Sequence, residues 1–183
     1  MRIISGFLKG RSVGGYDVKG TRPTMDRVKE SVFASIQSKI PKSIVLDLFS
    51  GSGSLGIEAI SNGADCCYFV DDNPKIVNIL KENIRDFNIE DKCHIINKDY
   101  CKAIRLLKDK NIKFNVIFID PPYKDKIIEK VLMLLIENEL ISKNAVVVCE
   151  YRFDELASFY DELKLIKTKK YSDTFVSIYE RSN

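Results

Sequence analysis

The chain has 183 residues, 45% of them hydrophobic, and a formal net charge of +3. That content suits one domain, residues 1–183, around a single core, and the charge alone is too small to indicate nucleic acid. There is no apolar run of 18 residues, and Lys9 and Arg11 interrupt any signal-like stretch, so the expectation is a cytoplasmic protein with neither a membrane span nor a secretory leader.

Residues 1–24 are expected to form a basic arm. The β-prone pieces Arg2 to Ile4 and Ser12 to Val13, broken by glycines, predict a short hairpin. Within residues 1–30 seven basic residues, among them Lys9, Arg11, Arg22, Arg27 and Lys29, stand against three acidic ones, which leaves the rest of the chain close to neutral. Such an arm can neutralise RNA phosphates, or it can be a solvated surface. Val28, Val32, Phe33 and Ile36 recur at helical spacing and predict a helix over 24–38, capped by Thr24 or Thr21, with Arg22 and Arg27 near its start.

From residue 43 onward the patterns alternate: strands at 43–49, 66–71, 93–97, 114–120 and 144–150, and helices at 54–62, 74–86, 100–108 and 125–138. The alternation predicts an α/β fold, a parallel sheet with helices on both faces. The tail reads as a helix over 153–160, then two β-prone runs, 164–171 and 174–180, forming an antiparallel pair across Ser172-Asp173.

Two motifs carry chemistry. Asp120-Pro121-Pro122-Tyr123 directly follows the apolar run Phe114 to Ile119, at the strand end where open parallel sheets bind ligands. An exocyclic amine on a nucleobase has its lone pair delocalised into the ring, so a catalyst must hold the nitrogen and favour its pyramidal form. Asp120 would accept one N–H and a carbonyl of the Pro121-Pro122 segment the other, since proline brings an acceptor without a competing donor. Tyr123 would stack on the base. The plainer reading of these residues is a strand followed by a rigid turn.

The second motif, Val45 to Gly56, reads strand, glycine turn, helix. Gly51 and Gly53 fall in the turn, where backbone must approach a ligand closely, and the spacing to Gly56 also fits a dinucleotide fingerprint. Asp71 and Asp72 follow the next strand at the separation expected of an acidic ribose ligand. Asp47, just before the glycines, would attract a sulfonium amino acid and repel a pyrophosphate, which favours S-adenosylmethionine over NAD. His94, the only histidine, lies beside Ile95-Ile96 and reads as an ordinary surface or strand-end residue. Cys66, Cys67, Cys93, Cys101 and Cys149 have no C-x-x-C spacing, so no metal site is indicated and neutral thiols in a reducing compartment are expected.

On these residues the chain resembles the class I S-adenosylmethionine-dependent methyltransferases, most closely the RsmD family of bacterial enzymes that methylate guanine N2 in small-subunit (16S) ribosomal RNA. The likeness takes in Arg2-Ile3-Ile4-Ser5-Gly6 with Lys9-Gly10-Arg11, the stretch Thr21 to Glu30, the glycine motif and Asp-Pro-Pro-Tyr, of which Thr21 to Glu30 is the family-specific part. The resemblance implies a Rossmann-like, seven-stranded, mostly parallel sheet whose last strand runs antiparallel to its neighbours. It implies S-adenosylmethionine as cofactor, held by Asp47, Phe49, Ser50, Gly51, Gly53, Asp71, Asp72, Asp99 and Tyr100. Asp99 would accept from the adenine amine, cap the following helix, or do both. It further implies Asp120, Pro121, Pro122 and Tyr123 as the catalytic set, and Lys9, Arg11, Arg22 and Arg27 as contacts to small-subunit RNA or an assembling small-subunit particle. Asp71 stands where the family more often has Glu, which leaves the division of labour with Asp72 open. Ser5 stands where the family commonly has Gly, a change expected to affect only the hairpin turn. Glu150 matches a family position without assignable chemistry.

The chemistry expected is direct, in-line methyl transfer to N2 with no covalent enzyme intermediate, the proton leaving afterwards to Asp120 or water. A paired guanine would have to be extruded, because N2 lies on the Watson–Crick edge. Three alternatives stay open: an adenine-N6 or other nucleic-acid amino methyltransferase, an NAD-dependent oxidoreductase, and a non-catalytic RNA-binding ribosome-assembly factor. Thr21 to Glu30 and the lack of a separate target-reading domain argue against the first.

Overall fold

The structure, a computed structural model, describes residues 1–15, 22–122, 127–152, 156 and 158–182, and for residues 22–25 and 159 the backbone only. The chain opens with a hairpin-like arm. Arg2 bridges Ser12 antiparallel, and Ile3 N–H donates to Arg11 O at 2.9 Å while Gly10 N–H donates to Ile3 O at 2.8 Å. Helix α1 (Arg22–Ile36) follows and ends in a short 3₁₀ turn, Gln37–Lys39. It begins ahead of Thr24, which therefore lies inside the helix and does not cap it; Thr21 is outside the described residues.

The core then alternates as expected: β1 (Ile44–Leu48), α2 (Ser54–Ser61), β2 (Cys66–Val70), α3 (Pro74–Phe87), β3 (Cys93–Ile96), α4 (Tyr100–Asp109), β4 (Phe114–Ile119), α5 (Ile128–Glu137) and β5 (Ile141–Tyr151). Local chemistry sets several boundaries. Asn73 caps α3 by accepting from Lys75 N–H, with Pro74 at the first helical position, and Asn88 closes it in the left-handed conformation. Residues 125 and 126 of the helix expected over 125–138 lie outside the described residues.

Of the helix expected over 153–160, residues 153–155 and 157 lie outside the described residues, and its last two residues differ from expectation. Phe159–Tyr160 is a strand, β6, that pairs antiparallel with the start of β7 (Leu163–Tyr171), which in turn pairs with β8 (Thr174–Arg181). Asp161, at φ 48, makes the tight turn, and the Tyr160 ring packs edge-on against buried Tyr179 at 5.6 Å. Cross-strand aromatic packing thus prevails over the helical spacing at residues 159–160.

The strands form one sheet in the order β3-β2-β1-β4-β5-β8-β7-β6. The first five are parallel, and β8 runs antiparallel to both of its neighbours. This is the expected seven-stranded arrangement with a two-residue strand added at one edge. One face carries Val45, Phe69, Phe118, Val148 and Ile178 and packs against the arm, α1, α2 and α3. The other carries Leu48, Val70, Ile119 and Cys149 and packs against α4 and α5. The order reverses between β1 and β4, so the loops leaving these strands diverge and open a crevice at their carboxyl ends. No helix among the described residues is long and apolar enough to cross a membrane.

Candidate active site

The crevice is lined by carboxylates that one face of the sheet supplies. Asp47 pairs in register with Phe69 and with Phe118, and Phe118 pairs with Val148. Side chains alternate along a strand, so two residues further on Asp71, Asp120 and Glu150 share one level and continue the face of those three apolar residues. Adjacent strands are about 4.8 Å apart, which makes Asp120 and Glu150 immediate neighbours.

Asp47 is buried, and its Oδ2 accepts from Gly56 N–H at 2.9 Å in the first turn of α2, where the helix amides favour negative charge. Burial nevertheless pushes its carboxyl up to about 7, and the charge of Asp71 adds to the rise. Burial also pushes the Asp120 carboxyl well above the ordinary carboxylate range; Glu150 and Asp47 push the same way, and Arg152 pulls weakly against them. A cation brought into this row would be attracted and would favour the ionised forms.

The glycine turn is shaped around Asp71. Gly51, at φ 55, donates its N–H to Asp71 Oδ2 at 3.0 Å, and Oδ1 accepts from Asn73 N–H at 2.9 Å. The side of Gly51 where a Cβ would stand has nothing within 4 Å. At Gly53, φ 88, a Cβ would lie 2.4 Å from Leu80 Cδ1, so helix packing by itself already requires a glycine there. Asp72 is exposed, whereas Asp71 is held by backbone donors on both oxygens. The buried hydroxyls of Ser50 and Ser52, beside the turn, have no hydrogen-bond partner among the described residues.

Asp99 caps α4 through one oxygen, Oδ1, which accepts from Cys101 N–H at 2.9 Å and Lys102 N–H at 3.3 Å. Tyr100 packs its ring on Phe49 at 5.4 Å, giving an apolar wall beside that carboxylate. In the catalytic set Asp120 is half-buried, Pro121 is buried and Pro122 is exposed. Tyr123 lies outside the described residues.

Four of the five thiols are held toward the neutral form by their surroundings. Burial pushes Cys93 up to about 12 and raises Cys66, Cys67 and Cys149. His94 is an exposed strand residue stacked on Tyr68 at 4.3 Å.

The basic residues divide. Lys9 and Arg27 are exposed, while Arg11, also exposed, donates to Asp86 O and lies over the Phe87 ring at 4.5 Å. Arg22 is the first residue of α1. Lys29 is not part of the exposed basic charge: it is buried and paired with Glu58 at 3.0 Å. Burial lowers its pKa and Glu58 pulls it back up. Glu58, in turn, accepts from the N–H of Ile4 at 2.9 Å and of Ser5 at 2.8 Å, and from Ser5 Oγ at 3.0 Å. Ser5 is therefore part of the joint between arm and α2, contrary to the expectation that it affects only the turn. Sequence reasoning also passed over the exposed lysines of β7, Lys164, Lys167, Lys169 and Lys170. Lys169 and Glu150 both pair with Val176, which sets them level, one strand apart.

A family model described as "Conserved hypothetical protein 95" matches residues 1–180. The chain is 36% identical to YlbH of Bacillus subtilis strain 168, over 99% of each chain. It is 33% identical to "Ribosomal RNA small subunit methyltransferase D" of Haemophilus influenzae, over 92% of this chain and 88% of that one. The chain belongs to the RsmD methyltransferase family. Its fold is that of yhhF from Escherichia coli, with a TM-score of 0.86 and 28% identity, covering 100% of this chain and 98% of the other. The Rossmann-like methyltransferase fold implied by the sequence resemblance is thus the fold of this RsmD-family protein, and the stretch Thr21 to Glu30 gains a partial physical reason in the buried ion pair of Lys29.

Proposed function

We propose that this protein transfers a methyl group from S-adenosylmethionine to the exocyclic N2 amine of a guanine in small-subunit ribosomal RNA. Relatives named for methylation of small-subunit ribosomal RNA support the RNA substrate. The observation that carries the reaction type is the position of Asp120, at the carboxyl end of β4 beside the switch point and level with Asp71.

The cofactor fits the residues present. A space at Gly51 that is open and two buried hydroxyls that are unpartnered among the described residues, with a row of carboxylates, match a polar, cationic ligand with hydroxyl and amine donors. Asp71 would take the ribose hydroxyls, Asp47 the positive amino-acid end, and the second oxygen of Asp99 the adenine amine, with Phe49 and Tyr100 against the ring. S-adenosylmethionine, when bound, supplies a methyl group already activated by positive sulfur. The chain's own task is then orientation. Asp120 and a Pro121-Pro122 carbonyl accept the two N2 protons, and Tyr123 stacks on the extruded base. The Asp120 carboxylate favours the pyramidal nitrogen as it attacks and can take the proton that leaves.

RNA phosphates would meet the exposed cations Lys9, Arg11 and Arg27, with Arg22 at the start of α1 and the exposed β7 lysines. On this reading residues 1–183 act as one methyltransferase domain, with 1–24 as its arm. The test is methylation of small-subunit particles and naked RNA from a strain lacking this protein, with the product nucleoside mapped. N2-methylguanosine at one nucleotide is expected; N6-methyladenosine or an unmodified RNA would reject the proposal.

A further inference from the structure

Glu150 takes no part in the reaction as described, yet the sheet places it beside the residue that does. It lies near the end of β5, half-buried, and Asp120 directly follows β4; each comes one residue after the last β4–β5 pair, Ile119 with Cys149, so the register carried on by one residue sets them side by side. Its backbone is held on one side by pairing with Val176 of β8, and on the other side the last β4–β5 pair, Ile119 with Cys149, lies one residue before it. Glutamate also extends one methylene further than aspartate. A second carboxylate thus stands one strand over from the amine-holding group, near enough for its charge to act on Asp120.

The bases differ at the atom next to the amine. In guanine one of the two ring nitrogens flanking the N2 amine, N1 on the Watson–Crick edge, carries a proton. In adenine and cytosine the ring nitrogen adjacent to the amine presents a lone pair. Two neighbouring acceptors therefore match the paired N1–H and N2–H donors of guanine, and set an acceptor against an acceptor for the other two. A site built to hydrogen-bond a donor discriminates strongly against an analogue that lacks it, because its own polar group is left unpaired.

We infer that Glu150 selects guanine by accepting N1–H of the target base while Asp120 holds the N2 amine. This rests on the guanine-N2 reading above. Glu150 is a specificity residue, and the methyl transfer itself proceeds on Asp120.

The test uses reconstituted small-subunit particles carrying either guanine or 2-aminopurine at the nucleotide mapped as above. 2-Aminopurine keeps the amine at C2 but has a bare N1. Wild-type protein should prefer guanine by about 10²-fold or more in kcat/KM. In Glu150→Gln the amide can accept from guanine N1–H or donate to a bare N1, so the preference should collapse by about 10-fold or more, with affinity for S-adenosylhomocysteine unchanged. A wild-type preference retained in a Glu150→Gln protein that binds S-adenosylhomocysteine normally would overturn the inference. Should Glu150→Gln fail to fold, Glu150→Asp keeps the acceptor; it should lose rate on guanine and retain the preference, and a lost preference there would overturn the inference equally. Absence of any N2 product from wild-type protein on guanine would instead overturn the guanine-N2 reading beneath it.

Discussion

Lys29 and Glu58 form a buried ion pair, Nζ 3.0 Å from Oε2, where the arm, α1 and α2 meet. A buried pair is often replaceable by two apolar residues at little cost, because desolvation cancels the attraction. This one is different, since Glu58 also accepts from Ile4 N–H and Ser5 N–H. Lys29→Met and Glu58→Leu should each destabilise the protein by about 3 to 5 kcal/mol. The double variant should fail to recover that loss, because the two arm amides would still lack an acceptor, at about 1 to 3 kcal/mol each. Urea melts of the single and double variants measure this, and a double variant as stable as wild type would show that the arm does not depend on Glu58.

Asp71 holds the glycine turn and is the proposed ribose ligand. Asp71→Ala should weaken S-adenosylhomocysteine binding by about 10-fold or more, the value of a charge-assisted hydrogen bond of about 1.5 to 3 kcal/mol. Asp72→Ala, at an exposed position, should leave it near wild type. Gly53→Val is a poor test of the pocket because it strikes Leu80 and would unsettle α2 and α3. Gly51→Ala has open side-chain space among the described residues but keeps φ 55, a left-handed conformation that costs alanine about 1 to 2 kcal/mol, so its affinity loss reports the pocket only beyond the accompanying loss of stability. Calorimetry on the four variants distinguishes these outcomes.

Asp47 gives a pH dependence with a definite sign. Its carboxyl, held up to about 7 chiefly by burial, ionises near 4 in the unfolded chain, so the folded protein binds the extra proton between those values. The stability this contributes is fully present below pH ~4 and is lost as pH rises through about 7. Asp47→Asn should therefore flatten the fall in melting temperature between pH 5 and pH 8 in protein without cofactor. A cationic ligand needs the ionised form, so S-adenosylmethionine binding should weaken by about tenfold per pH unit below 7, and Asp47→Asn should bind weakly with little pH dependence. Parallel pH series of melts and binding isotherms would expose a wrong sign in either trend.

Asp120 and Tyr123 should separate in kinetics. Asp120→Ala removes an acceptor needed chiefly as the amine pyramidalises, so turnover should fall by about 10²-fold or more while S-adenosylhomocysteine affinity changes little. Tyr123→Ala should raise KM for the particle, and Tyr123→Phe, which keeps the ring, should retain much of the activity. Wild-type turnover in a folded Asp120→Ala protein would reduce the Pro-Pro segment to a turn.

The alternating core and the carboxylates at its strand ends are legible in the amino-acid sequence. Hydrophobic period and turn residues are local properties, and they located β1 to β4 within about a residue and put Asp47, Asp71 and Asp120 at the carboxyl ends of β1, β2 and β4. Only the tertiary structure decided which of these share a face and a level. Register and strand order depend on pairing between distant segments, and the placement of Glu150 beside Asp120 came from there. Burial of charge is equally non-local: Lys29 counts as one more basic residue of the arm until Glu58, from another helix, meets it. The same reason governs the tail, where the pairing of Phe159–Tyr160 with β7 overrode a local helical pattern, and Gly53, whose constraint is a leucine on a different helix.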